Sequence, residues 1–153
     1  GDVEREERDA LVVDLRDEEW SATSWRDLLG GAVVLDVMGA GRVGGVVDRV
    51  AGPLVVLDRD GRDVVVALDA VQAVTESERR AGPVNEILSR AGWSHVVRTL
   101  QEDGEFVRLC RRDGKQVTGR IHVVGSDFVS LATQAGRLIS VPWTAAALLS
   151  VER

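Results

Sequence analysis

The chain has 153 residues and a net charge of −6, and hydrophobic residues make up 44% of it. This composition can supply a hydrophobic core, so it excludes a wholly disordered chain. No apolar stretch reaches the roughly 18–20 residues that span a bilayer, and the first residues do not resemble a signal peptide. We expect a cytoplasmic protein that forms one domain or two very small ones.

Cysteine usage and charge distribution set further limits. The only cysteine, Cys110, excludes an internal disulfide and fits a reducing compartment. All basic residues but Lys115 are arginine, which together with abundant Val, Ala, Gly and Asp indicates a GC-rich genome rather than nucleic-acid binding. Residues 1–76 carry a net charge of −9 and residues 77–153 carry +3. Only the second half could therefore attract phosphate groups.

The first 31 residues predict helical structure. Residues 1–23 form a charge-dense acidic segment, predicted to be helical through about residue 16. Ser24 then precedes an apolar run that Gly30 and Gly31 end, which predicts a short capped helix.

The pattern then changes to short Val-rich runs punctuated by Gly, Pro and Asp, which predict an antiparallel meander. The five predicted strands are 32–37, 44–50, 54–59, 63–68 and 70–75, with an Asp60-Gly61 hairpin turn between the third and the fourth. After a predicted linker at 77–93 comes a short helix at 94–104. A second series of five strands follows at 106–112, 116–124, 128–133, 137–142 and 146–151.

The two series are related by an internal repeat. Sliding the chain by 74 positions brings Val33 onto Val107 and Gly45 onto Gly119, and one residue inserted near Ala135 extends the match. The matched positions mostly alternate, as inward-facing strand residues do. We predict two tandem five-stranded antiparallel barrels at 24–76 and 94–153, each preceded by a short helix.

A helix followed by five short strands, with Val107-Arg108-Leu109, Asp113-Gly114 and Gly119-Arg120-Ile121, resembles the Sm/LSm (Hfq-like) fold within the wider class of SH3-like barrels. The layout also resembles an uncharacterised actinobacterial protein family. The Sm resemblance implies RNA binding by a polar residue in the turn between the second and third strands and by a basic turn before the last strand. The matching turns, 51–53 with 125–127 and 67–69 with 142–144, lack the family's asparagine and Arg/Lys-Gly residues. The resemblance therefore implies the fold but not the RNA pocket.

No catalytic, cofactor or metal site is predicted. Gly39-Ala-Gly41-Arg-Val-Gly44 matches a dinucleotide fingerprint, but the residues after it are poor helix formers, so a hairpin turn is favoured. His95 and His122 have no partners at ligand spacing. Cys110 lies in a predicted strand with no base nearby in sequence, which favours a packed thiol over a nucleophile.

One basic cluster is the only candidate binding surface. Its six members are Arg108, Arg111, Arg112, Lys115, Arg120 and Arg137. They could contact phosphate, although a solvated face is the simpler interpretation, and aromatic residues for stacking on bases are few. The four tryptophans at 20, 25, 93 and 143 are expected to pack helices onto the barrels.

We therefore expect a non-enzymatic interaction or scaffold protein that needs no cofactor and no small-molecule substrate. Because small barrels bury little surface, they should pack together, bind a protein partner or self-associate through strand edges. The alternative is weak RNA or DNA binding by the basic face of the second barrel.

Overall fold

The fold is mainly β. A computed structural model describes residues 20–76, 85–87 and 92–152. In this part of the chain an α-helix, α1, spans Trp93–Glu102, a 3-10 turn spans Trp25–Leu28, and Trp20 and Ser21 are also helical. The strands are β1 Ala32–Val37, β2 Gly41–Ala51, β3 Leu54–Arg59, β4 Arg62–Ala67, β5 Val71–Glu76, β6 Asn85–Ile87, β7 Phe106–Arg111, β8 Gln116–Val124, β9 Phe128–Ala132, β10 Leu138–Pro142 and β11 Ala146–Glu152.

The ten predicted strands are confirmed to within three residues at each end. The short strand β6, inside the predicted linker, was not predicted; it pairs with β2 in parallel. Ser24 caps the 3-10 turn, because its side chain accepts a hydrogen bond from the Arg26 N–H while Asp27 accepts one from the Ser24 N–H. The helix predicted through about residue 16 lies outside the described residues.

All ten predicted strands lie in one antiparallel sheet with the order β10-β9-β8-β7-β11-β4-β3-β2-β1-β5. The first half has the order β5-β1-β2-β3-β4, and the second half repeats it as β11-β7-β8-β9-β10. A bulge lies between Val47 and Arg49 on β2, and another lies between Ile121 and Val123 on β8. The two bulges lie 74 residues apart in the sequence, which is the offset of the internal repeat. The two halves therefore share an irregular feature of the backbone as well as similar residue types.

The prediction of two closed five-stranded barrels is not supported. Among the described strands, β5 pairs only with β1, whereas β4 pairs with β3 and with β11 of the other half. The outer edge of β4 is therefore satisfied by the second half, and neither half closes on itself. Periodicity shows which residues face a core, but it does not show which strand completes an edge, and this is why the sequence suggested closure.

The pairing of β4 with β11, which we call the seam, joins the two halves. Leu149 lies opposite Val65 on one side and opposite Leu109 on the other, and all three are fully buried. Since directly opposed side chains share a face of a sheet, one apolar row crosses the seam. Its members, from five adjacent strands, are Val56, Val65, Leu149, Leu109 and Val117. Both halves therefore contribute to one hydrophobic core.

The turn between β1 and β2 also contacts the second half. Gly39 has a φ of +82°, and a Cβ at this position would lie 2.0 Å from the Arg111 carbonyl oxygen. Nearby, the Arg112 guanidinium donates to Asp69 at 2.6 Å and to the Ala146 carbonyl at 3.2 Å. The seam thus includes a close backbone contact and an ion pair in addition to its strand pairing.

Two of the four tryptophans pack as expected. Trp93 of α1 and Trp143, in the turn before β11, are both buried and stack with ring centroids 4.9 Å apart. This contact fixes α1 to the second half. Trp20 and Trp25 are 60% and 41% exposed, so the expectation that they pack a helix is wrong for these two residues.

Gly39→Ala is expected to destabilise the fold by about 2–5 kcal/mol, because it combines an unfavourable positive φ with a backbone clash at the seam. Gly41→Ala is the matched control, since Gly41 also has a positive φ, +75°, but has open space around it. The control should cost about 1–2 kcal/mol. Urea unfolding measures both, and equal losses would contradict the close contact.

Candidate functional site

The structure disperses the predicted basic cluster. Arg108 and Arg120 lie on the same face of the β7–β8 pair, because Arg108 opposes Thr118 and Arg120 opposes Phe106. Arg108 Nε lies 3.2 Å from Glu152 Oε1. The Arg120 guanidinium stacks over the Phe106 ring, 4.8 Å from its centroid. Arg111 alternates to the other face of β7.

The remaining members of the cluster lie at turns. Arg111 pairs with Asp113, and Arg112 pairs across the seam with Asp69. The Lys115 N–H donates to Asp113 at 3.1 Å, and this bond lowers the pKa of the Asp113 carboxyl, assisted by Arg111. Arg137 lies in the exposed turn before β10. Three of the six cations thus have acidic partners, and the six do not form one continuous face.

The other candidates for chemistry are ordinary structural positions. His95 and His122 are exposed, on α1 and at the β8 bulge. In the described ranges, no group of three His, Cys, Asp or Glu side chains could hold a metal ion. The Gly39–Gly44 motif forms a hairpin turn leading into β2, so the helix that a dinucleotide site needs is replaced by a strand. None of the described helices is long and apolar enough to cross a membrane.

A polar groove at the seam brings together cations that the sequence analysis did not group. Arg59 and Arg62, at the ends of β3 and β4, lie opposite each other and line the groove with Arg108 and Ser150. Asp60 and Glu152 line it too. The sequence does show that two arginines flank the Asp60-Gly61 turn. Their proximity to Arg108 could not be predicted, because it depends on the pairing of β4 with β11.

The outer strands of the sheet, β5 and β10, are the second candidate surface. Each pairs on one side only within the described part of the chain. On β10, Leu138 is 60% exposed and Ser140 is exposed; on β5, Ala73 and Thr75 are exposed. Open strand edges present unpaired backbone N–H and C=O groups, which can accept a further strand.

No protein-family model and no curated protein matches the chain. The seam groove and the outer strands are the two surfaces whose geometry points to a function.

Cys110 is expected to react slowly with iodoacetamide in the folded protein. The residue is 2% exposed, and burial raises the pKa of its thiol, an effect that Arg108 partly offsets and Glu152 reinforces. Because the thiolate is the nucleophile, alkylation at pH 8 should be at least about tenfold slower than in the denatured chain. Mass spectrometry measures the rate, and equal rates would contradict the inert-thiol interpretation.

Proposed function

We propose that the chain is a non-enzymatic interaction protein that self-associates by adding the β5 strand of one copy to the β10 strand of another. The observation that carries this proposal is the seam. There, the last strand of one half pairs with the fourth strand of the other half. The sheet thus contains one example of the junction that we propose between copies.

The internal repeat identifies the two outer edges as the counterparts of the seam edges. β10 is the fourth strand of the second half and corresponds to β4, while β5 is the last strand of the first half and corresponds to β11. After the one-residue insertion near Ala135, equivalent residues of the two halves are 75 positions apart, so Val74 corresponds to Leu149 and Ser140 corresponds to Val65. Leu149 lies opposite Val65 at the seam, and the same register would place Val74 of one copy opposite Ser140 of the next. The two edges are therefore complementary in strand order and direction.

Charge favours this head-to-tail arrangement over one that pairs identical halves. In the described residues, 20–76 carry 8 acidic and 5 basic side chains (net −3), and 92–152 carry 6 acidic and 7 basic ones (net +1), so an acidic half of one copy would meet a weakly basic half of another. Opposite charges on the two surfaces promote encounter and disfavour the alternative pairing of like halves.

The junction between copies should be weaker than the seam. Ser140 takes the place of the buried Val65, and Ala73 takes the place of the buried Leu148. Asp113 replaces Gly39, whose missing side chain permits the close turn contact at the seam. Smaller apolar area and a bulkier turn both reduce the stabilisation from strand pairing. Association is therefore expected to be reversible and dependent on concentration.

Weak RNA or DNA binding has less support. Arg108, Arg111 and Arg112 have acidic partners within the chain, and a phosphate would have to compete with those carboxylates. The absence of enzymatic activity and the cytoplasmic location stay predictions from the sequence.

Cysteine cross-linking tests the proposed register. In a Cys110→Ala background, one chain carries Val74→Cys and another carries Ser140→Cys. Directly opposed residues of antiparallel strands have Cα atoms about 4.5–5.5 Å apart, within reach of a disulfide. Oxidising the mixture should therefore give a covalent dimer of the two different chains.

A mixture of Val74→Cys with Arg62→Cys is the matched control, because Arg62 is exposed but lies in the β3–β4 hairpin, away from both outer strands. This mixture should give little cross-linking on a non-reducing gel. Equal yields in the two mixtures, or no dimer in either, would refute the proposed pairing.

Salt-dependent filter binding tests the nucleic-acid alternative. At about 50 mM salt, we expect little binding of single-stranded RNA or DNA, and no linear fall of log affinity with log salt. Tight binding whose affinity falls steeply with salt, and which is weaker in Arg111→Ala/Arg112→Ala, would favour nucleic acid as the partner. It would contradict our preference for self-association.

A further inference from the structure

The seam groove has an open cavity of about 370 Å³, bordered by strands from both halves. Arg59 and Arg62 form its exposed rim, and Val64, Arg108 and Ser150 form its more buried floor. It is not part of the outer strands, so its role is independent of self-association.

The rim contains two like charges in direct opposition. Arg59 and Arg62 are cross-strand partners in the β3–β4 hairpin, and neither guanidinium group makes a hydrogen bond or an ion pair with the described part of the chain. Like charges directly opposed across an antiparallel pair are destabilising. An anion bound between the two guanidinium groups would replace this repulsion with attraction.

The floor contains one buried donor that no hydrogen bond satisfies. Arg108 Nε is shielded from solvent and makes no hydrogen bond, although Glu152 lies near it as an ionic partner. Ser150, which is 7% exposed, lines the floor as well. A buried donor without an acceptor is costly, and a ligand oxygen would satisfy it.

We propose that this groove binds a phosphate group. The planar guanidinium fork matches the geometry of phosphate oxygens, and hydrogen bonds between charged partners are the strongest available. Asp60 and Glu152 also line the groove, but three guanidinium groups outnumber these two carboxylates. The net positive charge suits a multiply charged anion. None of the described residues that line the groove is aromatic, so the phosphate, and not a stacked base, is the recognised group.

Titration calorimetry with pyrophosphate at constant low ionic strength tests the proposal. The wild-type chain should bind, and Arg59→Gln/Arg62→Gln should bind at least about tenfold more weakly, because two charge-assisted donors are lost. Lys115→Gln/Arg137→Gln removes the same charge from exposed positions away from the groove. This control should retain the wild-type affinity.

Absence of pyrophosphate binding to the wild-type chain would overturn the proposal, as would an equal loss in the two double variants. A second variant, Arg108→Lys, keeps the charge but removes the guanidinium fork, and it should also weaken binding. Displacement of pyrophosphate by a short single-stranded oligonucleotide would identify a nucleic-acid backbone as the source of the phosphate. Retention of pyrophosphate would identify a small phosphorylated molecule.

Discussion

The pairing of β4 with β11 is the interaction on which the rest of the structure depends. It converts two five-strand units into one sheet, and it places Val65 and Leu149 side by side in a row of buried residues that spans both halves. A five-strand unit of this size buries too little apolar surface to be comfortably stable alone. The seam therefore stabilises each half through the core of the other, and unfolding of the two halves should be coupled.

The same pairing generates both candidate functional surfaces. Because β4 and β11 satisfy each other, the edges left open among the described strands are the complementary ones, β5 and β10. The groove with Arg59, Arg62 and Arg108 also exists only because β11 pairs with β4 on one side and with β7 on the other. Self-association and phosphate binding use different residues, so each can be removed without the other.

Much of the fold was predictable, because local chemistry determines it. β-branched runs with turn residues between them located the ten strands, and Asp60-Gly61 forms the expected hairpin, with both residues at positive φ. The offset of 74 residues was readable because core positions of equivalent strands share size and polarity. The dinucleotide-like glycines were correctly interpreted as a turn, since Val43 to Val47 favour a strand over a helix.

The candidate site was much less predictable, because it depends on contacts between distant segments. Proximity along the chain suggested that Arg108, Arg111 and Arg112 act together, but strand alternation and the pairing of Arg112 with Asp69 separate them. The role of Gly39 became evident only beside the Arg111 backbone. Whether each half closes into a barrel depends on which strand pairs with the free edge of β4. Hydrophobic periodicity shows which face of a strand is buried, but not which strand is its neighbour.

Hydrogen exchange at low and high protein concentration tests the central claim most directly, namely that the open edges continue the sheet between copies. The account predicts that backbone amides of β5 and β10 gain protection as concentration rises, while those of β4 and β11 are protected throughout. If the protein forms larger assemblies at high concentration but the protection of the β5 and β10 amides does not change, the claim is contradicted.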